Sequence, residues 1–288
     1  MELKTGLSTC SKEYGEELFM QYAKASIKYM EIALKRDTYD DFPYAETKKW
    51  AEKYGVILWS FHLPYSPFEK VDISSPLTAD KNVEDFKKLI RDFGAIGVKH
   101  FVVHASGEPI NDSERPSRME RAKKSLRLLA EYADSVGAVV CVEDLPRTCL
   151  GNCSKEINEL LSSHPSLRSC FDTNHLLGEK IEDYIAAVGS KIVTTHVSDY
   201  DFVNERHWLA GEGKIDWQSL LRSLAKTGYD GPWLYELGFV GRENIIRPRA
   251  LNCEDFARNA KEIFEGKPIT VIGKPPKDLP FAFPPAKK

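Results

Sequence analysis

The chain has 288 residues, of which 42% are apolar and 29% are charged, and its 43 acidic and 40 basic side chains give a net charge of -3. This length is sufficient to bury a large core and is typical of a single α/β barrel. Nucleic-acid affinity depends on clustered Lys and Arg that neutralise phosphates. The slightly acidic balance therefore argues against a DNA or RNA partner.

The beginning of the chain lacks the pattern of a secretory signal, because charged residues such as Glu2, Lys4 and Lys12 interrupt every apolar stretch. No run in the sequence approaches the roughly 18 apolar residues of a membrane-spanning helix. We therefore expect a cytoplasmic protein with no membrane partner.

Short apolar runs alternate with segments of helical period along the chain, which is typical of a parallel sheet with crossover helices. The apolar runs predict strands at 3–8, 30–34, 56–63, 99–104, 139–144, 169–172, 192–197 and 233–237. The helical segments are predicted at 13–29, 43–54, 79–96, around 126–136, and at 154–162, 181–188, 217–227 and 253–265. This alternation favours a (β/α)8 TIM barrel.

The composition changes after Gly266, where proline becomes frequent: Pro268, Pro275, Pro276, Pro280, Pro284 and Pro285. Neither a helix nor a central strand tolerates this density of proline. We therefore predict one barrel domain over 1–266, and an extended tail over 267–288 that packs on the barrel or on a neighbouring subunit.

Side chains able to bind a metal or transfer a proton stand at the ends of six predicted strands: His62, His104, Glu143, Asp172, His196 and Glu236. Taken singly, each has a simpler interpretation, since a histidine at a strand end is ordinarily part of the rim and Asp172 could cap a helix. The active sites of TIM barrels lie at the carboxyl ends of the strands. We therefore expect the six side chains to converge on one pocket.

A loop after the seventh predicted strand has the features of a substrate clamp. Gly211 and Gly213 allow a tight backbone turn, and Asp216 can cap the helix that follows. Arg206 and His207 stand just before the glycines. Their position predicts that both side chains reach the substrate.

The residue types at the strand ends predict a particular chemistry. Two Glu, one Asp and one His around a cation form an oxygen-rich site that suits Mn²⁺, Mg²⁺, Co²⁺ or Zn²⁺. Such an ion polarises a carbonyl and its neighbouring hydroxyl, and a carboxylate can then remove the proton from the adjacent carbon.

Several short motifs at the strand ends match one known family. They are His-Leu-Pro at 62–64, Val-Val-His at 102–104, Val-Glu-Asp-Leu-Pro-Arg at 142–147, Phe-Asp-Thr-Asn-His at 171–175, His-Val-Ser-Asp at 196–199, Arg-His…Gly-Glu-Gly at 206–213 and Tyr-Glu-Leu at 235–237. With these motifs the chain resembles the xylose isomerase-like TIM barrels, a family of sugar phosphate isomerases and epimerases related to endonuclease IV.

The resemblance implies a role for each of these positions. The ligands of one divalent ion would be Glu143, Asp172, His196 and Glu236. Glu143 and Glu236 would also remove and return a proton on opposite sides of a small carbohydrate, through an enediolate held by the metal. The side chains implied to contact the substrate or line its pocket are His62, His104, His175, Arg206 and His207. Whether the chain forms a homo-oligomer stays open.

Two other activities stay open on the same scaffold. A lyase or dehydratase acting on a keto-inositol or keto-sugar would begin with the same proton abstraction and then expel a hydroxyl. An endonuclease IV-like zinc phosphodiesterase would use nine ligand positions for three zinc ions, and the chain has a candidate at each: His62, His104, Glu143, Asp172, His175, His196, Glu205, His207 and Glu236. Glu205, the candidate for an additional metal, replaces an aspartate of that pattern.

Overall fold

Eight parallel strands, β1 to β8 in chain order, form one sheet in the computed structural model, which describes residues 1–34, 41–65 and 70–279. The strands are β1 Thr5–Ser8, β2 Tyr29–Ile32, β3 Ile57–His62, β4 His100–His104, β5 Val139–Glu143, β6 Arg168–Asp172, β7 Ile192–His196 and β8 Trp233–Tyr235. A helix follows each strand: α1 Glu16–Lys24, α2 Tyr44–Tyr54, α3 Ala79–Ala95, α4 Arg115–Ser135, α5 Ser154–Leu161, α6 Ile181–Val188, α7 Trp217–Lys226 and α8 Cys253–Phe264.

The sheet curls into a nearly closed barrel. Its hydrogen-bonded order runs from β7 down to β1 and then to β8. The first and last strands of that order meet through a bridge between Val197 and Tyr235, and the Val197 amide donates to the Leu234 carbonyl at 2.8 Å. The architecture is a (β/α)8 TIM barrel, which confirms the fold class predicted from the alternation of strands and helices.

Several predicted boundaries differ in the structure; the largest changes are that α4 begins at Arg115, well before the predicted 126, and that α1 is shortened at both ends. Helix α1 is shorter than the predicted 13–29, because Gly15 precedes it in extended backbone and Ser26, with a φ of 60°, leaves the helical conformation after it. Strand β8 ends at Tyr235 instead of 237. Glu236 therefore lies just beyond the strand, in the loop at the carboxyl end of the barrel.

Two register shifts interrupt the regular strand pairing. Met30 pairs with Leu58 but Glu31 pairs with Ser60, so that β3 carries one extra residue at this point. A similar shift separates Ser169 from Cys170 in the pairing of β6 with β7. Such irregularities re-aim side chains next to active sites.

The first part of the predicted tail lies against the loops of the barrel. Lys274 forms a bridge with Ile246, and the Gly273 amide donates to Glu212 Oε1 at 2.7 Å. Residues 268–279 contain neither helix nor strand, whereas 280–288 lie outside the described residues. Among the described residues, none of the helices combines the length and the apolar character needed to cross a bilayer.

A buried carboxylate shapes the loop between β7 and α7. Asp199 accepts hydrogen bonds from the Gly211 amide at 2.8 Å, the Ile215 amide at 3.2 Å and Trp217 Nε1 at 3.1 Å. Gly213 packs so closely that a Cβ atom there would lie 2.3 Å from Asp199 Oδ1 and 2.4 Å from the Tyr200 carbonyl oxygen. This close packing at Gly213, together with a φ of 94° at Gly211, fits the tight backbone turn predicted for the two glycines. Asp216 also caps α7 as predicted, by accepting from the Ser219 amide.

We expect the Gly213→Ala substitution to lower the free energy of unfolding by about 2 kcal/mol, because the new methyl group meets a backbone oxygen that cannot move away easily. Urea denaturation measures the effect. Gly178→Ala is the matched control, since no atom lies within 4 Å of the added carbon, and it should change stability by less than about 0.5 kcal/mol. Equal losses in the two variants would contradict the packing explanation.

Candidate active site

Four strand ends bring four ligand-type side chains together: Glu143, Asp172, His196 and Glu236. The first three are the last residues of β5, β6 and β7, and the fourth follows β8. Each offers one ligand atom, and these atoms all lie within 4.8 Å of one another. The structure thus assembles the set that the sequence resemblance implied.

His196 Nδ1 lies at the centre of this group. Its distances are 3.1 Å to Glu143 Oε1, 3.6 Å to Glu236 Oε2 and 4.0 Å to Asp172 Oδ2. Only Glu236 retains appreciable exposure, with 13% of its side-chain surface accessible. Three carboxylates therefore converge on one imidazole nitrogen in a site nearly free of solvent.

The electrostatics of the group favour a cation. Burial and the neighbouring charges of Glu143 and Glu236 raise the pKa of Asp172 well above its ordinary value. Asp172 Oδ2 is buried and has no hydrogen-bond partner among the described residues. A buried carboxylate oxygen without a donor is costly, and a cation would remove that cost. The donor set of three carboxylates and one imidazole fits a divalent ion such as Mn²⁺, Mg²⁺, Co²⁺ or Zn²⁺.

A cavity of about 300 Å³ opens above the group. Its polar and aromatic lining includes His62, Tyr65, His104, Glu108, Glu143, Arg147, His175, Glu205, His207, Glu236 and Arg242. Asp172 and His196 are not among the lining residues. A molecule in the cavity would therefore meet Glu143 and Glu236, while the other two members of the group stay covered.

Two histidines bracket one oxygen of Glu143. His62 Nε2 lies 3.2 Å and His104 Nε2 lies 3.1 Å from Glu143 Oε2. Burial lowers the pKa of His62, but the Glu143 carboxylate more than offsets burial and the pKa rises to about 9. For His104 burial prevails, and its pKa is lowered. Burial raises the pKa of Glu143, yet His196 and His104 hold it well below its ordinary value.

His175 and His207 line the cavity with Glu205 between them. His175 Nδ1 donates to the Asp144 carbonyl at 2.8 Å, and His207 Nε2 lies 2.7 Å from Glu205 Oε1. His175, Glu205 and His207 form a second group whose ligand atoms lie within 4.8 Å of one another. Asn174 fixes the backbone here, since its Oδ1 accepts from the His207 amide at 3.3 Å.

The structure does not bring Arg206 into the cavity. Its side chain is 3% exposed, and its Nε and Nη2 atoms both lie 2.9 Å from Asp201 Oδ2. Two other arginines line the cavity wall, Arg242 and Arg147, and Arg147 follows β5 and bonds to Glu108 and Glu205. Of the five side chains expected to contact substrate, the four histidines therefore line the cavity and Arg206 lies behind it.

Sequence reasoning missed a buried residue below the group. Glu31 on β2 is 0% exposed and lies 2.9 Å from His196 Nε2 through its Oε2. It sits inside a strand instead of at a strand end, so a search for ligand types at the strand ends passes over it. The available signal was a carboxylate within the apolar run Met-Glu-Ile-Ala-Leu at 30–34.

A family model described as the xylose isomerase-like TIM barrel matches residues 19–252, which is most of the chain. The chain belongs to the xylose isomerase-like TIM barrel family. The resemblance inferred from the strand-end motifs is thereby confirmed.

Among curated proteins, this family member is similar to the fructoselysine 3-epimerase of Escherichia coli O157:H7. The two are 28% identical over 149 residues, which cover 47% of this chain and 54% of the epimerase. The same enzyme of Shigella flexneri gives the same identity and coverage. The chain spans about half the length of these curated relatives.

Solved structures show the same xylose isomerase-like fold. A D-tagatose 3-epimerase-like protein has a TM-score of 0.73 at 20% identity, and the match covers 92% of this chain and 96% of that one. A 3-keto-D-glucoside 4-epimerase from E. coli has a TM-score of 0.70 at 17% identity, with coverage of 92% and 98%. At these identities the similarity concerns the fold alone.

We expect Mn²⁺, added to the metal-stripped xylose isomerase-like barrel at about 100 times its dissociation constant, to raise the free energy of unfolding by about 2.7 kcal/mol. Asp172→Asn should remove most of this gain, because the variant lacks one carboxylate of the four-residue group. His207→Gln is the control and should keep it, because His207 lies outside that group. Urea denaturation with and without Mn²⁺ measures both. The reverse pattern would place the ion at the second group.

Proposed function

We propose that the protein is a divalent-metal-dependent epimerase that acts on a ketose without a phosphate group. One observation carries the proposal: two glutamates, Glu143 and Glu236, belong to a four-residue group suited to a cation and also line the cavity above it. The similarity to sugar epimerases in sequence and fold supports the same reaction class.

The four side chains Glu143, Asp172, His196 and Glu236 would hold the ion. When bound there, a divalent cation would polarise the substrate carbonyl and the adjacent hydroxyl, which makes the proton on the neighbouring carbon acidic enough to remove. Asp172 and His196 have no access to the cavity, and their part is confined to holding the cation. The two glutamates have the additional exposure that contact with substrate requires.

The proton transfer uses one glutamate on each face of the substrate carbon. One carboxylate removes the proton, and the electron pair of the broken C–H bond moves toward the carbonyl, so that the oxygen becomes negative. The second glutamate, which starts protonated, then gives its proton to the opposite face of the same carbon, and the configuration inverts. In the reverse direction the two residues exchange roles.

The four histidines of the cavity would bind the hydroxyl groups of the sugar and a developing negative charge on its oxygens. His62 and His104 also hold Glu143 Oε2 through contacts of 3.2 and 3.1 Å, which fixes this carboxylate in one orientation. Orientation of a reacting group contributes several kcal/mol to catalysis, as the effective molarities of intramolecular reactions indicate.

The charges on the cavity wall argue against a phosphorylated substrate. Arg147 Nε donates to Glu108 Oε2 at 3.0 Å, and its Nη2 donates to Glu205 Oε2 at 3.0 Å. Two carboxylates therefore accompany the guanidinium that would otherwise attract a phosphate. Arg242, with 56% of its side chain exposed, lies 3.8 Å from Glu205 Oε1. The wall suits a neutral polyol better than a dianion.

The same contacts favour one metal ion over three. In a three-zinc arrangement Glu205 would be a ligand together with His175 and His207, whose ligand atoms do lie close enough. The Glu205 carboxylate is already compensated, however, by Arg147 and by the His207 ring. Burial raises the pKa of Glu205, but these neighbours bring it well below its ordinary value without a cation. We therefore propose a single ion at the four-residue group.

Incubation of the Mn²⁺-loaded enzyme in deuterated water with D-fructose, D-tagatose, D-psicose and related ketoses should place deuterium on the carbon whose configuration inverts. Glu143→Gln should lower turnover about 10³-fold, because one of the two proton-transfer groups is lost. The variant's metal content should be measured as well, so that loss of the ion is distinguished from loss of the base.

Glu84→Gln is the matched control, since this exposed glutamate on α3 lies away from the cavity. Its turnover should equal that of the wild type. Loss of water from the substrate in place of inversion would identify a lyase. Full turnover in a metal-loaded Glu143→Gln variant would refute the two-glutamate mechanism.

We also expect kcat/KM for the 6-phosphate ester of an accepted ketose to be at least about 100-fold lower than for the free sugar, because the phosphate would approach Glu108 and Glu205. Steady-state kinetics on the pair of substrates measures the ratio. Glu108→Gln should bring the two kcat/KM values closer together, because it removes one of the two carboxylates. A higher kcat/KM of the wild-type enzyme for the ester would contradict the proposal that the substrate carries no phosphate.

A further inference from the structure

Glu31 is a buried carboxylate that neither lines the cavity nor belongs to the four-residue group. It lies on β2 with 0% exposure, and its hydrogen bonds to Ser60 and His196 both involve Oε2. Ser60 Oγ donates to that oxygen at 2.8 Å, and the His196 Nε2–H donates to it at 2.9 Å. The contacts join β3, β2 and β7 across the barrel interior.

Burial of Glu31 in the barrel interior is energetically unfavourable unless the carboxylate has a specific partner. An ionised carboxylate in a protein interior loses its hydration, and a well-packed apolar residue of similar size is often more favourable there. Its neighbours on β2, Met30 and Ile32, are such apolar residues. The register shift between Met30 and Glu31 sets Glu31 opposite Ser60, the residue that donates to it.

The contact with Glu31 determines which nitrogen of His196 faces the four-residue group. In this structure His196 Nδ1 also forms a hydrogen bond with Glu143 Oε1. When the ring carries a single proton, on Nε2 and directed at Glu31, it presents the Nδ1 lone pair to the four-residue group and can bind a cation there. Nδ1 is the atom that lies 3.1 Å from Glu143 and 3.6 Å from Glu236. A carboxylate that accepts from the other ring N–H fixes the tautomer and orientation of a metal-binding histidine and strengthens the nitrogen as a donor.

We propose that Glu31 is a positioning residue that holds His196 in the Nε2–H tautomer and thereby sets the affinity of the site for its divalent ion. The inference rests on the proposed metal site. It assigns Glu31 no contact with the substrate, and Ser60 the supporting role of fixing the carboxylate.

Isothermal titration of the metal-stripped full chain with Mn²⁺ tests this role. Glu31→Gln keeps the size of the side chain and an oxygen that can accept from Nε2–H, but it lacks the charge, so the dissociation constant should rise about 10-fold. Glu31→Met has no acceptor, and the rise should approach 100-fold. Glu84→Gln is the control, because it makes the same chemical change at an exposed position on α3, and its constant should stay within about 3-fold of the wild type.

The affinity ranking distinguishes positioning from a purely structural role. If Glu31 only supports the fold, folded Glu31→Gln protein would bind Mn²⁺ as tightly as the wild type, and that result would overturn the inference even if Glu31→Met failed to fold. A wild-type chain that binds no Mn²⁺ would instead refute the proposed metal site. Failure of the proposed role of Glu31 and failure of the proposed metal site would therefore give different results.

Nuclear magnetic resonance tests the assigned tautomer of His196 directly. In the Zn²⁺-loaded protein, long-range ¹⁵N–¹H correlation of the His196 ring should show the proton on Nε2 and the metal on Nδ1. In Glu31→Gln the same pattern should persist, since the amide oxygen accepts the N–H. Zinc on Nε2 of the wild-type ring would contradict the proposal directly.

Discussion

The arrangement of three carboxylates, two buried and one partly exposed, around one imidazole nitrogen is the constraint on which the carboxyl end of this barrel depends. Glu143 at the end of β5, Asp172 at the end of β6 and Glu236 just after β8 approach His196 Nδ1 within 3.1 to 4.0 Å. Like charges at this separation repel strongly in a site of low dielectric. The protein can keep them together only if protons or a cation neutralise them. The raised pKa of Asp172 is the sign of that unmet charge.

The fold keeps these groups together through bonds between side chains and backbone in neighbouring loops. Asp144 Oδ1 accepts from the Asp172 amide at 2.8 Å, and Asp172 Oδ1 accepts from the Asn174 amide at 2.7 Å. Asn174 in turn accepts from the Arg206 amide at 2.9 Å. The chain of bonds leads from β5 through β6 to the loop after β7. Arg206 therefore contributes to the site through its backbone amide, while its guanidinium is hydrogen-bonded to Asp201.

Sequence reasoning reached the fold and the convergence of six strand-end side chains for a simple physical reason, whereas the choice of four ligands among them came from the family resemblance. Parallel strands with crossover helices leave a periodic record in the chain, and the carboxyl ends of barrel strands necessarily converge. The direction of a side chain in a loop cannot be predicted from such a periodic pattern. Arg206 and His207 are adjacent in sequence, yet a φ of 54° at His207 accompanies the turn of its ring toward Glu205, while Arg206 points to Asp201.

Glu31 escaped the same reasoning because its importance depends on the interior of the barrel. In sequence it is one charged residue in an apolar run, and only the closed barrel brings β2 within reach of a histidine on β7, at 2.9 Å. The register shift beside it is equally invisible in a single sequence. Where a pattern is local, as at strand ends, the sequence predicts well. Where a contact joins opposite sides of the barrel, coordinates are needed.

The charge of Glu205 is balanced by neighbouring side chains. This distinguishes the proposed sugar epimerisation from zinc-dependent hydrolysis of a phosphodiester, two reactions that the types of ligand residue alone leave equally open. His175, Glu205 and His207 have the composition of a zinc site, and their atoms are close enough for one. Arg147 is held against Glu205 by a second carboxylate, Glu108, so that the guanidinium occupies the electrostatic position of an additional cation. A fixed organic cation neutralises charge but offers no open coordination position, and so it cannot activate a water molecule against a phosphodiester. The wall it forms is polar and nearly neutral, which fits the unphosphorylated sugar proposed as substrate.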